Sequence, residues 1–103
     1  MSLSFDTDVL VIGAGPAGAV AATLLHRAGH RVQVVEKQHF PRFSIGESLL
    51  PQCMAYLHEA GMLEAVEAAG FQLKNGAAFA WGERRTHFRF DEKFSPGWGY
   101  TYQ

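Results

Sequence analysis

Three glycines and one acid near the N-terminus have the types and spacing needed to hold a dinucleotide. Gly13, Gly15 and Gly18 form a G-x-G-x-x-G pattern, and Glu36 follows 18 positions after the last of them. Glycines permit a tight turn and close approach of a pyrophosphate, and an acid about 20 residues further on can hydrogen-bond a ribose. A carboxylate there disfavours a 2′-phosphate, so the pattern predicts FAD or NAD rather than NADP. The alternative is that the glycines only make a turn and that the acid is a solvated strand end.

The flanking elements are typical of a β-α-β unit. Val9–Ile12 is a continuous apolar run, which predicts a parallel strand covered on both faces. A helix is expected over Ala17–Ala28, with Pro16 in its first turn and Gly29 closing it. The second strand is expected over Val32–Glu36. The amide groups at the helix start would then face the phosphates with the positive end of the helix dipole.

The segment 40–51, FPRFSIGESLLP, is the second informative feature. Arg42 is its only cation, and a guanidinium there would pair with a pyrophosphate or another anion. Gly46 would permit a turn or close approach of a flavin ring. Glu47 and Ser48 would offer polar contacts, or Ser48 would cap the next helix. The alternative makes Arg42 an exposed cation and Ser48 only a cap.

The remaining chain is expected to contain helices and then strands. A helical pattern typically ends at a glycine, and strand patterns alternate around polar turns. The predicted elements are helices over Leu49–Ala60 and Met62–Ala69, strands over Ala77–Trp81 and His87–Phe90 around the turn Gly82–Arg85, and a last strand over Trp98–Gln103.

Composition excludes several classes of function. The chain has 103 residues, a net charge of -1 and scattered basic residues, which predicts neither a nucleic-acid partner nor an anionic membrane partner. Its longest apolar stretch is broken by the glycine turn and Pro16, so no membrane span or signal peptide is expected and we interpret the chain as cytoplasmic. The single cysteine, Cys53, and five dispersed histidines predict no disulfide and no metal site. We expect the chain to be the front portion of a larger protein, because dinucleotide-binding enzymes usually need a second domain for substrate.

The motifs taken together resemble a known family. GAGPAG with Glu36-Lys37, the segment FPRFSIGESLLP and the later KNGAAFAWG over residues 74–82 are similar to the N-terminal part of flavin-dependent halogenases. The similarity is to the branch that acts on phenols, pyrroles or carrier-bound substrates. Related proteins include FAD-dependent monooxygenases and geranylgeranyl-reductase-type oxidoreductases.

This resemblance implies an α/β fold with a Rossmann-like FAD-binding β-α-β unit over 7–36, a loop and helices over 37–73, and the first strands of an antiparallel substrate-domain sheet from residue 74 to 103. It implies that Lys74 is catalytic. The expected FAD-binding residues are Gly13, Gly15, Pro16, Ala17, Gly18, Glu36, Lys37, Arg42, Gly46, Glu47 and Ser48.

The reaction implied by the resemblance is halogenation of a small aromatic or pyrrole substrate. In such enzymes a separate reductase supplies reduced FAD. The reduced FAD reacts with oxygen and chloride to give hypochlorous acid, and a lysine presents this acid to the substrate. An ammonium can hydrogen-bond hypochlorous acid, and a neutral amine can form a chloramine. Three alternatives stay open: an FAD-dependent monooxygenase or reductase, a non-catalytic FAD-binding fragment, and an ordinary surface role for Lys74. The Trp-x-Trp-x-Ile-Pro motif that separates halogenases from monooxygenases does not occur in this sequence.

Overall fold

The computed structural model describes residues 3–103, which fall into two compact units that meet in sequence between Phe43 and Ser44. The first unit contains strand β1 (Val9–Ile12), helix α1 (Pro16–Arg27) and strand β2 (Val32–Val35). β1 and β2 are parallel and in register from Val9 opposite Val32 to Ile12 opposite Val35. The predicted β-α-β unit is confirmed.

Helix α1 begins and ends one residue earlier than predicted. Pro16 is its first residue and Gly15 its N-cap, because proline lacks an amide hydrogen that the first turn would leave unpaired in any case. Ala28 is the C-cap, and Gly29 follows with a φ of +95°, a left-handed conformation that glycine adopts without strain.

Strand β1 is covered on one face only among the described residues. Leu10 and Ile12 are 51% and 82% exposed, whereas Val9 and Val11 are half-buried. The expectation of a strand covered on both faces is therefore wrong for this chain. Side chains alternate along a strand, and α1 packs against one side of the β1-β2 pair and leaves the other side open.

A charged pair fixes the start of this sheet. Asp8 accepts hydrogen bonds from the Arg31 amide and from Arg31 Nη2, both at 2.8 Å. The same guanidinium donates to the Phe5 carbonyl at 2.9 Å, and the Thr7 hydroxyl donates to the Arg31 carbonyl at 2.7 Å. The side-chain hydrogen bond from Arg31 lowers the pKa of Asp8 to about 2, so the carboxylate is ionised at neutral pH. These bonds set the register of β1 against β2.

The second unit contains two helices and two short antiparallel sheets. β3 pairs with β6, with Lys74 opposite Thr101, and β4 pairs with β5 as a hairpin, with Ala77 opposite Phe88. Its elements are α2 (Pro51–Glu59), α3 (Leu63–Ala68), β3 (Leu73–Lys74), β4 (Gly76–Trp81), β5 (Arg84–Arg89) and β6 (Thr101–Tyr102).

A small core lies between the helices and β6. Met54, Leu57, Ala60 and Leu63 are buried at helical spacing, and Met54 is fully inaccessible. Thr101 is also fully buried, and its hydroxyl donates to the Leu50 carbonyl at 3.3 Å. The core therefore joins both helices to the last strand.

Two local predictions for this unit are wrong. Ser48 does not cap α2: the N-cap is Leu50, no side chain caps the helix, and Pro51 occupies the first turn. The turn predicted over Gly82–Arg85 contains only Gly82 and Glu83, since Arg84 and Arg85 already belong to β5. Gly82 has a φ of +59°, as a two-residue hairpin turn requires, so the strands need no longer connection.

The other boundaries differ by small amounts. The predicted helix over Leu49–Ala60 begins two residues late, at Pro51. The predicted strand over Trp98–Gln103 is reduced to Thr101–Tyr102, because only these two residues pair with β3. Short strands depend on such pairing more than on local residue preference, and helix ends fray by one or two residues.

Candidate functional site

The glycine turn between β1 and α1 requires glycine at two positions for its own geometry. Gly13 has a φ of +108°, which other residues rarely adopt, and its amide donates to the Val35 carbonyl at 2.7 Å. A Cβ on Gly18 would overlap the carbonyl oxygen of Gly13 and lie 3.3 Å from Val11 Cγ1. Gly15 is different, since a Cβ there would meet only the tip of Arg42, at 3.3 Å from Nη2. Gly15 therefore keeps space open above the turn rather than permitting the turn itself.

The start of α1 leaves backbone donors without intrahelical acceptors. The amide of Ala19 donates to the Gly15 carbonyl at 2.9 Å, and it is the first in the helix to do so. Pro16 has no amide hydrogen, and the geometry of a helix start leaves the amides of Ala17 and Gly18 without intrahelical acceptors. Such amides, at the positive end of the helix dipole, form an anion site.

Glu36 lies directly after β2 and is bonded to two backbone amides. Oε1 accepts from Ala14 at 3.0 Å, and Oε2 accepts from Gln38 at 2.9 Å. Arg42 Nη1 lies 3.5 Å from Oε1. The hydrogen bond from Ala14 is the main cause that lowers the pKa of Glu36, followed by the bond from Gln38 and then by the charge of Arg42. The carboxylate is thus ionised and fixed beside the glycine turn.

Arg42 is held by one anion and one aromatic ring. Its guanidinium lies 5.0 Å from the centroid of the Phe40 ring while Nη1 faces Glu36, and 30% of its side-chain surface is exposed. A cation over an aromatic face gains electrostatic stabilisation, and the planar guanidinium keeps donors available for a phosphate. The arrangement places a cation beside the open end of the turn.

Glu36 and Arg42 line an open cavity of about 500 Å³, together with Gly13 of the glycine turn. A volume of this order is typical of small-molecule sites. The Glu36 carboxylate is suited to ribose hydroxyls, and the helix amides and the Arg42 guanidinium are suited to phosphates. With the gap that Gly15 keeps free, these groups fit the ADP half of FAD. The cavity is lined by Ile12, Gly13, Val35, Glu36, Lys37 and Arg42.

Lys74 lies in the second unit and is bonded to Ser48. Its Nζ donates to Ser48 Oγ at 2.7 Å and lies 5.8 Å from the centroid of the Phe90 ring. Both Lys74 and Ser48 are half-buried. No carboxylate among residues 3–103 comes within ion-pair distance of this amine. An ammonium that donates one hydrogen to a neutral hydroxyl keeps two further donors for a small polar reactant.

The remaining predicted site residues lie in exposed positions. Lys37 is exposed at the edge of the 500 Å³ cavity, Gly46 has a φ of +80° in the segment before α2, and Glu47 is exposed. The structure groups Lys37 with Glu36 and Arg42. Contacts of Gly46 and Glu47 with a flavin stay a prediction.

Sequence reasoning missed the residues that hold the site residues in place. The amides of Ala14 and Gln38 fix Glu36, and the rings of Phe40 and Phe90 face Arg42 and Lys74. Phe40 stands two residues before Arg42, so local spacing carried a signal for that pair. No sequence signal linked Phe90 to Lys74, since their approach depends on the antiparallel pairing of β5 with β4.

Comparison with known proteins places the chain in a family. The sequence profile of tryptophan halogenases matches residues 8–100, which contain both the glycine turn and Lys74. This chain belongs to the tryptophan halogenase family. A tryptophan 2-halogenase from Chondromyces crocatus is 48% identical, with the alignment covering 91% of this chain and 19% of that protein. A 1H-pyrrole-2-carbonyl-[peptidyl-carrier protein] chlorinase from Pseudomonas fluorescens is 46% identical over 72% of this chain and 16% of that protein.

Solved structures from related proteins share the fold of this family member. A flavoprotein/dehydrogenase from Cytophaga hutchinsonii is 60% identical with a TM-score of 0.88, covering 94% of this chain and 24% of that one. The FAD-dependent myxobacterial chondrochloren halogenase is 37% identical with a TM-score of 0.81, covering 94% of this chain and 23% of that one. This member of the tryptophan halogenase family spans about a fifth of the length of the curated relatives that it matches. Within residues 3–103, no helix has the length and apolar character needed to cross a membrane.

Proposed function

We propose that this chain supplies the ADP-binding part and the reactive lysine of an FAD-dependent halogenase that acts on an aromatic or pyrrole substrate. The observation that carries the proposal is the environment of Lys74. Its amine is half-buried and bonded at 2.7 Å to the neutral hydroxyl of Ser48. A surface lysine with only a structural role usually points into solvent or pairs with a carboxylate.

The cofactor contacts follow from the first unit. The amides of Ala17 and Gly18 and the guanidinium of Arg42 would bind the pyrophosphate, with Pro16 preorganising the helix start. Glu36 would accept hydrogen bonds from the adenosine ribose, and Lys37 would add a positive charge at the edge of the cavity. Reduced FAD, when bound, would supply two of the four electrons that reduce O2, and the halide would supply the other two as it is oxidised to hypohalous acid.

Lys74 would then present the electrophile. Its donors can hydrogen-bond the hypohalous oxygen and polarise the oxygen–halogen bond toward the substrate ring. The ring carbon gains the halogen, its hydrogen leaves as a proton, and the departing hydroxide takes up a proton to form water. Lys74 binds and orients in this scheme, and its carbon framework is unchanged at the end.

The substrate and partners are part of the same proposal. The Chondromyces and Pseudomonas relatives are named for tryptophan and for a carrier-bound pyrrole, so the substrate class we infer is an electron-rich ring, free or carrier-bound. A separate flavin reductase would supply reduced FAD. The 60% identical flavoprotein/dehydrogenase favours one alternative, an FAD-dependent oxidoreductase that does not halogenate.

The test uses the intact protein with reduced FAD, oxygen, chloride or bromide, and a phenol or pyrrole. Mass spectrometry should detect a halogenated product, and halogenation by Lys74→Ala should fall at least about a hundredfold with flavin reoxidation nearly unchanged. Lys93→Ala is the matched control, because Lys93 is exposed and bonded only to the Ser95 carbonyl among the described residues. If the protein reoxidises FAD in the presence of either the phenol or the pyrrole but never incorporates halide, the non-halogenating oxidoreductase would be favoured.

A further inference from the structure

Ser48 hydrogen-bonds Lys74 and does not cap helix α2. The two residues are 26 positions apart, and the Nζ to Oγ distance of 2.7 Å is that of a strong hydrogen bond with a charged donor. Leu50, not Ser48, is the N-cap of α2, and no side chain caps that helix. The hydroxyl of Ser48 therefore has no part in starting the helix.

Both ends of this hydrogen bond are anchored to strand β6. Lys74 is paired with Thr101 in the β3-β6 ladder. On the side of Ser48, the Leu49 amide donates to the Tyr102 carbonyl at 3.0 Å, and the Thr101 hydroxyl donates to the Leu50 carbonyl at 3.3 Å. Thr101 is fully buried. The backbones that carry the serine and the lysine are thus held in fixed relation before the side chains meet.

An aromatic ring lies near the same amine. Nζ is 5.8 Å from the centroid of the Phe90 ring, and the Phe90 amide donates to the Asn75 carbonyl at 2.8 Å, next to Lys74 in the chain. A lysine side chain has four rotatable bonds, and a free amine would sample many positions. The ring and the hydroxyl together reduce that freedom.

We propose that Ser48 is a positioning residue, which holds the amine of Lys74 in the orientation that presents the halogen electrophile. This rests on the proposed function of Lys74. The hydroxyl acts through the lysine: it accepts one ammonium hydrogen and leaves the other two directed elsewhere. Preorganised donors stabilise a transition state because they need no reordering during the reaction.

The kinetic test compares Ser48→Ala with Ser48→Thr in the intact protein. Ser48→Ala should lower kcat for halogenation by about tenfold to a hundredfold, with KM for the ring substrate and flavin reoxidation nearly unchanged. Ser48→Thr keeps a hydroxyl and should recover most of the rate. Ser4→Ala, at an exposed position, is the matched control and should leave kcat at the wild-type level.

A double-mutant cycle shows whether the serine acts through the lysine. In the Lys74→Ala background, Ser48→Ala should cause no further loss, because the group that it positions is gone. Equal losses in both backgrounds would overturn the proposal. A loss of flavin reoxidation in Ser48→Ala would likewise assign the serine to the cofactor instead.

A second readout needs no halogenation at all. The rate of Lys74 acetylation by acetic anhydride, measured by mass spectrometry against the exposed Lys93, should rise severalfold in Ser48→Ala and stay unchanged in Ser48→Thr. A labelling change in a protein that never halogenates would reject the proposed function and keep only the finding that Ser48 holds the amine of Lys74. Unchanged labelling and unchanged kcat in Ser48→Ala would reject the positioning role alone.

Discussion

Glu36 Oε1 accepts the amide hydrogen of Ala14 at 3.0 Å, so the acid that follows the second strand is bonded to the turn that precedes helix α1. A second amide, from Gln38, holds the other carboxylate oxygen at 2.9 Å. The acid thus stabilises the turn in addition to the role proposed for it with a ribose. One substitution there should affect both.

We expect Glu36→Gln to weaken FAD binding by about tenfold, because a neutral amide accepts weaker hydrogen bonds from the turn and from ribose hydroxyls. The measurement is the dissociation constant from quenching of flavin fluorescence. Glu83→Gln is the matched control, since Glu83 is exposed in the β4-β5 turn. Equal affinities for wild type and Glu36→Gln would contradict the ribose role.

Gly15, the N-cap of α1, and Gly18, in the first turn of α1, should respond differently to alanine. Gly18→Ala should lower the free energy of unfolding by about 1–3 kcal/mol, because the new methyl group overlaps the Gly13 carbonyl oxygen, which is rigid backbone. Gly15→Ala should change stability little, since its nearest neighbour is the movable tip of Arg42 at 3.3 Å. The measurement is urea denaturation. Gly15→Ala should nevertheless weaken FAD binding, as its methyl group enters the space assigned to the pyrophosphate.

The Asp8–Arg31 pair should make stability depend on acid pH. A carboxyl whose pKa is lower in the folded chain stabilises it fully above the unfolded value of 3.8, and this contribution is lost as pH falls through the folded value of about 2. The stability difference between wild type and Asp8→Asn should therefore be largest above pH 5 and shrink as pH falls from 4 to 2. Urea midpoints measured across this range check it. Asp6→Asn, at an exposed neighbour, serves as the control, and a gap that widened on acidification would contradict the pairing.

The small helical core of the second unit should be sensitive to cavities. Met54 is fully buried, so Met54→Ala should cost about 2–5 kcal/mol of unfolding free energy. Leu50→Ala, at a side chain that is 64% exposed, should cost far less. Chemical denaturation of both variants measures the difference. Similar losses at the two positions would mean that Met54 is not the centre of this core.

The sequence predicted the first unit better than the second for physical reasons. An apolar run, a glycine turn and a helix that begins at proline are local signals, and the β1-β2 unit follows them closely. The exposure of Leu10 and Ile12 was not predictable, because it depends on what packs against the strand. The sequence offered Ser48 either as a cap on the next helix or as a polar contact in the cofactor site, and local spacing could not reveal its hydrogen bond to Lys74, 26 residues away.

The bonds that hold Glu36 come from residues 14 and 38, and those that fix Lys74 come from Ser48 and the β3-β6 ladder. The first set lies wholly within one compact unit and the second within the other. Random mutagenesis confined to strands β3 and β6 should therefore yield variants with altered halogen delivery by Lys74 and unaltered nucleotide affinity. Selection can act on the two properties through separate groups of codons.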